Sequence, residues 1–353
     1  MQSNTLTTLT YAVFLTVLLG SIFVVAKGIV VPIFIAAIVA YVLVHAANRL
    51  SHVPGLRWCP VWSLRLMILV IFAVIVVVFF GVVVSTAQEL LRRLPAYQSN
   101  VETLIQQAFA ILGRSGDINW EGIYEATVGQ INLRNIVLSF LSSLTSAGGS
   151  IFLILIYALF LMSERGNFVK KIYAATTSTE QAEKVIGVVS EINDQIANYL
   201  ATKTAINVIL GLISFVILFA LGVDFALFWA ILIALLNYIP YVGSMLGVAV
   251  PVVLSVAQFG SLQASALVLA LLLAAQLWVG NFLEPRLIGK QLNMSPLIVL
   301  LSLSVFSGLW GVAGAILAVP LTSIIAIVLG AFDETRFLAV LLAENVDEDT
   351  ATV

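Results

Sequence analysis

The chain has 353 residues, of which 61% are hydrophobic and 10% charged, with a formal net charge of −2. A soluble domain carries about 25% Asp, Glu, Lys and Arg, so a mean hydropathy of +1.11 excludes a water-soluble globular fold. No basic patch is present to hold nucleic acid. Apolar runs recur along the whole sequence, and about 20 residues at 1.5 Å each suffice to cross hydrocarbon. Lipid offers no water to backbone groups, so only helices and closed barrels span it. The alternating strands of a barrel are absent. The predicted class is an all-α polytopic membrane protein.

In chain order, residues 1–87 form an N-terminal three-span region with spans near 8–26, 28–47 and 66–86. The first run has no basic leader segment and reads as a retained helix. The linker 48–65 carries Arg49, Arg57 and Arg65 and no acid. Residues 88–147 form a polar insert. Within it Leu94, Tyr97, Val101, Leu104, Ile105, Ala108 and Leu112 recur at helical spacing, which predicts a small extramembrane helical unit. A fourth span fills 148–163. Residues 164–203 form an amphipathic helical segment, opened by Ser178 and Gln181 at capping-box spacing. Its stripe of Val185, Val188, Val189, Ile192, Ile196 and Tyr199 is read as ordinary packing. Residues 204–332 form an extremely apolar C-terminal core, and 333–353 an acidic tail.

Basic residues flank cytoplasmic span ends. The linker arginines and the Arg165, Lys170 and Lys171 cluster therefore face the cytoplasm, and insert 88–147 faces outward. Both termini are then cytoplasmic. His45, His52 and the single Cys59 have no neighbours at ligand spacing, so no metal site or disulfide is expected. No nucleotide-binding, hydrolase or metalloprotease pattern occurs, so no cofactor and no enzyme activity are expected.

Two segments have awkward lengths. Residues 225–257 and 296–330 are each long enough for about 50 Å of straight helix against about 30 Å of hydrocarbon. Each is either two spans or a broken or re-entrant helix. The first is interrupted by NYIPYVGSMLG (237–247) and the second by SGLWGVAGAILAVP (307–320). Helix-break positions are Gly247 and Pro251 in the first, and Gly308, Gly311, Gly314 and Pro320 in the second. Paired broken segments point to a transporter site. Pro240 cannot donate a backbone hydrogen bond, which predicts freed carbonyls near Leu236. Asn237 supplies an amide, Tyr238 and Tyr241 hydroxyls, and Gly243 close backbone approach. Gln276 and Asn281 extend this candidate solute site. A carboxylate at membrane depth is costly and defaults to function, so Glu284, with Arg286 as partner, and Asp224 are coupling-ion candidates. Pro285 and Gly289 favour the competing reading of 284–290 as a surface loop, and Asp224 also suits an interface.

The stretches LNYIPYVGSMLG (236–247), NFLEPRLIGKQLNMSPLIVLLSL (281–303) and the G-x-x-G…AVPL run at 311–321 resemble the autoinducer-2 exporter family of bacterial membrane proteins. That resemblance covers nearly the whole chain. It implies an inner-membrane secondary transporter of about eight spans, forming a homo-oligomer with a pentamer as one option. It carries Asn237, Tyr238, Pro240, Gly243, Glu284, Pro285 and Arg286 as signature positions. The expected function is export of a small polar solute, autoinducer-2 among the candidates, by alternating access with sodium or protons as coupling ions. Sodium/proton antiport is the first alternative and a membrane scaffold the second.

Overall fold

The computed structural model describes residues 2–52, 60–112, 133–288 and 293–345. Arg57, Cys59, Gly289, Lys290, the insert between 113 and 132 and the tail from 346 lie outside the described residues. The helices are α1 (Gln2–Val25), α2 (Lys27–Leu50), α3 (Val61–Leu112), α4 (Leu133–Ala175), α5 (Thr179–Ala220), α6 (Ala226–Leu236), α7 (Val242–Phe259) and α8 (Leu262–Trp278). A π-helical turn (Val279–Leu283) leads into α9 (Glu284–Ile288), followed by α10 (Pro296–Trp310), α11 (Val312–Gly330) and α12 (Arg336–Leu342). No strand occurs among the described residues. Among the described residues six helices are long and apolar enough to cross a membrane, or seven if a pair bent by 64° near residue 165 counts as one span. The chain is an all-α polytopic membrane protein. On the apolar part of α3, Val70, Val74, Val77 and Val78 are all more than half exposed, as expected where the surrounding solvent is lipid rather than water.

The chain divides into two compact units. One comprises residues 1–71, 150–202 and 288–353, the other 72–149 and 203–287. The polarity changes near 87, 163 and 203 fall inside α3, α4 and α5; α3 and α5 run on through theirs, whereas α4 bends by 64° near residue 165.

In the first unit, Ile196, Tyr199 and Leu200 of α5 pack on Met294 and on Val319 of α11. Trp310 closes a second cluster with Leu317 and Leu321. Its indole N–H donates to the Phe23 carbonyl at 3.0 Å. Helices α10 and α11 form a hairpin turned at Gly311, whose φ of +64° favours glycine. Gly314 sits where the hairpin is tightest: a Cβ there would lie 1.8 Å from the Phe306 carbonyl oxygen.

In the second unit, α6 and α7 form another antiparallel hairpin. A Cβ on Gly243 would lie 1.7 Å from the Leu236 carbonyl oxygen, and one on Gly247 would touch Ile233 at 3.5 Å. With 11 residues, α6 rises about 16 Å, roughly half the hydrocarbon thickness. It cannot cross alone, so the excess length of 225–257 is accommodated by a half-helix and a tight turn.

A methyl group has no room at either hairpin glycine. Gly243→Ala and Gly314→Ala are each expected to destabilise the detergent-purified protein by about 1–3 kcal/mol or more. Gly308→Ala, with nothing within 4 Å of the added Cβ, is expected to stay within about 0.5 kcal/mol. Thermal unfolding monitored by intrinsic fluorescence checks the contrast.

Candidate functional site

The site is built on α5, at the tip of the α6–α7 hairpin, and at the end of α8. From residue 204 to its end at Ala220, α5 contains no ionisable side chain. Lys203 and Asn207 stand one turn apart on one face and are 4% and 2% exposed. Helix α6 stops at Leu236, and Asn237 caps it in helical conformation (φ −66°, ψ −5°). The chain then turns through Pro240 and Tyr241, whose φ of +61° is uncommon for a side-chain-bearing residue. The Leu236 carbonyl, expected to be free, accepts from the Ile239 N–H at 2.9 Å, and the Ile239 carbonyl accepts from Gly243 at 3.0 Å. The turn thus satisfies its own backbone, as a break away from water must. The polar chemistry lies in side chains instead.

Two buried amides, Asn207 and Asn237, and the half-buried amide of Gln276 form a chain. Asn237 Nδ2 donates to Asn207 Oδ1 at 2.8 Å, and Gln276 Nε2 donates to Asn237 Oδ1 at 3.0 Å. Neither end of the chain makes a well-formed hydrogen bond: Gln276 Oε1 can still accept, and Asn207 Nδ2, beside the Tyr238 hydroxyl, can still donate. Beside it, Tyr238 and Thr204 share a hydroxyl–hydroxyl bond of 2.7 Å. On the next turn outward, Lys203 forms an ion pair with Glu284 at 2.5 Å.

The π turn makes this grouping possible. Gln276 and Glu284 are eight positions apart, which in a regular α-helix points them roughly 80° apart at 3.6 residues per turn. One inserted π residue brings them within about 20° of each other. Its cause is Pro285, which lacks an N–H and would crowd the carbonyl of Asn281 in a regular helix. Residues 284–288 are accordingly helical rather than a surface loop.

The opposite end of the hairpin is held by α3. Arg93 Nη1 and the Tyr97 hydroxyl donate to the two oxygens of Asp224 at 2.8 and 2.7 Å. Asn100 Nδ2 donates to the carbonyls of Ala257 and Gln258 at the end of α7. The Asp224 N–H donates to Gln258 Oε1 at 2.7 Å, tying the two hairpin arms together. From this base, α5 between 220 and 207 and α8 between 262 and 276 each rise about 20 Å. The amide chain therefore lies about 20 Å along these helices from the base, and the ion pair one helical turn further.

Of the residues singled out in the sequence, Asn237, Gln276 and Glu284 come together, with Tyr238, Pro240 and Gly243 forming the tip beside them. Tyr241 is 57% exposed, and Asn281 is exposed on the π turn. Arg286 is exposed as well; the partner of Glu284 is Lys203, because Arg286 lies on another face of the same helix. Asp224 belongs to the base. Of the expected helix breaks only Gly311 lies between helices: Gly247 and Pro251 are buried inside α7, and in the other unit Gly308 lies inside α10 and Gly314 and Pro320 inside α11, because neighbouring turns of these helices absorb the proline and glycine. Lys203, Thr204 and Asn207 escaped the sequence reading. Their signal was present: Lys203 and Asn207 stand four apart at the mouth of an apolar run, as a polar pair on one helix face.

Residues 11–334 match the AI-2E family transporter family. The chain belongs to the AI-2E transporter family. It is similar to the AI-2 transport protein TqsA of Escherichia coli, at 33% identity over 90% of each chain. A Haemophilus influenzae protein provisionally named for transport is 28% identical over 91% of this chain and 92% of its own. Escherichia coli PerM, provisionally named a permease, is 26% identical over 87% of this chain and 88% of its own. This AI-2E family member is thus a multi-pass membrane transport protein, and the amide chain and ion pair are the polar groups concentrated within its apolar core.

Asn237 is bonded to both other amides, so Asn237→Leu orphans two buried groups and is expected to cost about 1–3 kcal/mol. Adding Asn207→Leu is expected to cost less than its separate effect. A double-mutant cycle from thermal unfolding should give a coupling of about 0.5–3 kcal/mol; strict additivity would refute the bonded chain.

Proposed function

We propose that this transporter is a secondary carrier that exports a small polar solute across the bacterial inner membrane by alternating access, binding it at the Asn207–Asn237–Gln276 chain. The observation that carries the reading is the pair of incompletely satisfied ends. A buried amide left without a partner costs about 1–3 kcal/mol, so the folded protein gains when a ligand completes the chain. A hydroxyl both donates and accepts, which makes a hydroxyl-rich solute the matching class: it can donate to Gln276 Oε1 and accept from Asn207 Nδ2. The likeness to a protein named for AI-2 transport supports autoinducer-2 as the first solute to try. In this reading both termini are cytoplasmic, with Arg49, Arg65, Lys170 and Lys171 on that side, and exposed apolar faces such as that of α3 serve lipid and neighbouring copies in a homo-oligomer.

Proteoliposomes loaded with autoinducer-2 and given a proton or sodium gradient test the assignment. Efflux from wild-type vesicles is expected to fall about tenfold or more with Asn237→Ala and with Gln276→Leu, one hydrogen bond to a buried partner amounting to about 1.4 kcal/mol or more in the transport step. Tyr241→Phe, at an exposed site, is expected to leave it unchanged. Equal efflux from all four proteins would reject the amide chain as the solute site.

A further inference from the structure

The amide chain accounts for Asn207, Asn237 and Gln276 but leaves the neighbouring ion pair unexplained. Lys203 is 4% exposed and Glu284 30% exposed. A buried ammonium is stable only with its counter-charge beside it, and removal of that charge is strongly unfavourable. The Glu284 side chain is the exposed partner and the Lys203 ammonium the enclosed one, so an arriving proton meets Glu284 first. The π turn sets Glu284 on the same face as Gln276, whose Oε1 is an unpartnered acceptor. Lys203 stands one turn from Asn207 at the other end of the chain. The pair and the solute site thus share a helix face on each side.

We propose that Glu284 is an exchangeable proton site whose resident counter-ion is Lys203, and that its protonation and solute binding are mutually exclusive. With Glu284 ionised, its carboxylate holds the Lys203 ammonium and Gln276 Oε1 is free for a solute hydroxyl. When a proton binds the Glu284 carboxylate, the ammonium loses its counter-charge and turns to Gln276 Oε1. That acceptor is then closed to the solute. No bond other than the carboxyl O–H forms, and the proton comes from and returns to water. A site that holds either a proton or a solute is an exchanger: inward movement of protons expels solute. The proposal rests on the transport reading and adds its coupling ion. Among the described residues the other ionisable groups on these elements beside the pair are the exposed Arg286, Tyr238 bonded to Thr204, and Tyr199 one turn before Lys203 on α5; none of them is a carboxylate.

Carbodiimide labelling tests this without any solute, because dicyclohexylcarbodiimide attacks protonated carboxyls in apolar surroundings. The full-length protein in liposomes is labelled at a series of pH values, and modification at Glu284 is read by mass spectrometry. Wild-type labelling is expected to be slow at neutral pH and to rise along a single titration as pH falls. Lys203→Met, which removes the counter-charge, is expected to raise the neutral-pH rate about tenfold or more. Lys203→Arg, which keeps the charge, is expected to stay at the wild-type level, and Glu284→Gln to show no label at that position. A wild-type rate indifferent to pH overturns the proposal even if Lys203→Met fails to fold. Equal rates in wild type and folded Lys203→Met also overturn it, as does protection of the wild type by sodium at fixed pH, which would make the site one for sodium. Labelling as expected alongside unaltered autoinducer-2 efflux would separate a failed solute assignment from a failed proton site.

Discussion

A helix interrupted where water is scarce must satisfy every group that the interruption frees, and the α6–α7 break does so within the chain. Its backbone is closed locally, with the Leu236 carbonyl taken by Ile239 and the Ile239 carbonyl by Gly243. That closure draws the two arms so near that only glycine fits at position 243. It also leaves the amide of Asn237 pointing at α5 and α8 rather than repairing the turn. Asn207 and Gln276 meet it there, and each addition to the network constrains the next. Gln276 ends a helix that must then shift register by a π turn before Glu284 can reach Lys203. The polar site is a consequence of one broken helix and the repairs it requires.

The two ends of the hairpin have different chemistry for a physical reason. At its base, Arg93, Tyr97 and Asn100 are spaced so that they lie on one face of α3, beyond its most apolar stretch, and they grip the start of α6 and the end of α7. Arg93 is 46% exposed there, so this ion pair sits in solvent and acts by position more than by strength. At the tip, the groups are buried and neutral apart from Lys203 and Glu284, so each hydrogen bond counts for more and each missing one costs more. A firm base with an incompletely satisfied tip confines the unmet hydrogen-bonding capacity to one end of the hairpin.

The α10–α11 hairpin uses the same steric device for a different end. Gly314 occupies the position that Gly243 occupies in α7, each with its missing Cβ against a carbonyl of the preceding arm. The Ala-Val-Pro triplets that suggest the likeness in sequence are out of register with these glycines by two residues, so the glycine approach, not the proline, is the shared feature. The tip of this second hairpin carries Trp310, packed edge-on to Phe23 with ring centroids 6.0 Å apart, where the first carries amides. The hairpin form is common to both units; the amides belong to the α6–α7 hairpin, whereas the α10–α11 hairpin buries hydroxyls, with Thr322 and Ser302 bonded at 2.7 Å.

Much of this was legible in the sequence, because membrane folding imposes a single strong rule: apolar length dictates helix, and a polar or helix-breaking residue within that length stands out. Composition established the class, the run lengths pointed to interruptions at 237–247 and 307–320, within which the helices break only at 237–241 and 311, and the cost of polar groups in lipid drew attention to Asn237, Gln276 and Glu284. Partners were beyond reach, because spacing along one helix says nothing about which face of another helix it meets. Arg286 was the nearer cation in sequence, yet Lys203 is the partner. The register that brings it there depends on a π turn caused by Pro285, and on α5 packing against the same face. The sequence by itself determined that the chain is helical, lipid-bound and broken at defined places, since these follow from local composition. Tertiary structure alone decided which buried groups complete one another, since that depends on residues dozens of positions apart meeting across three helices.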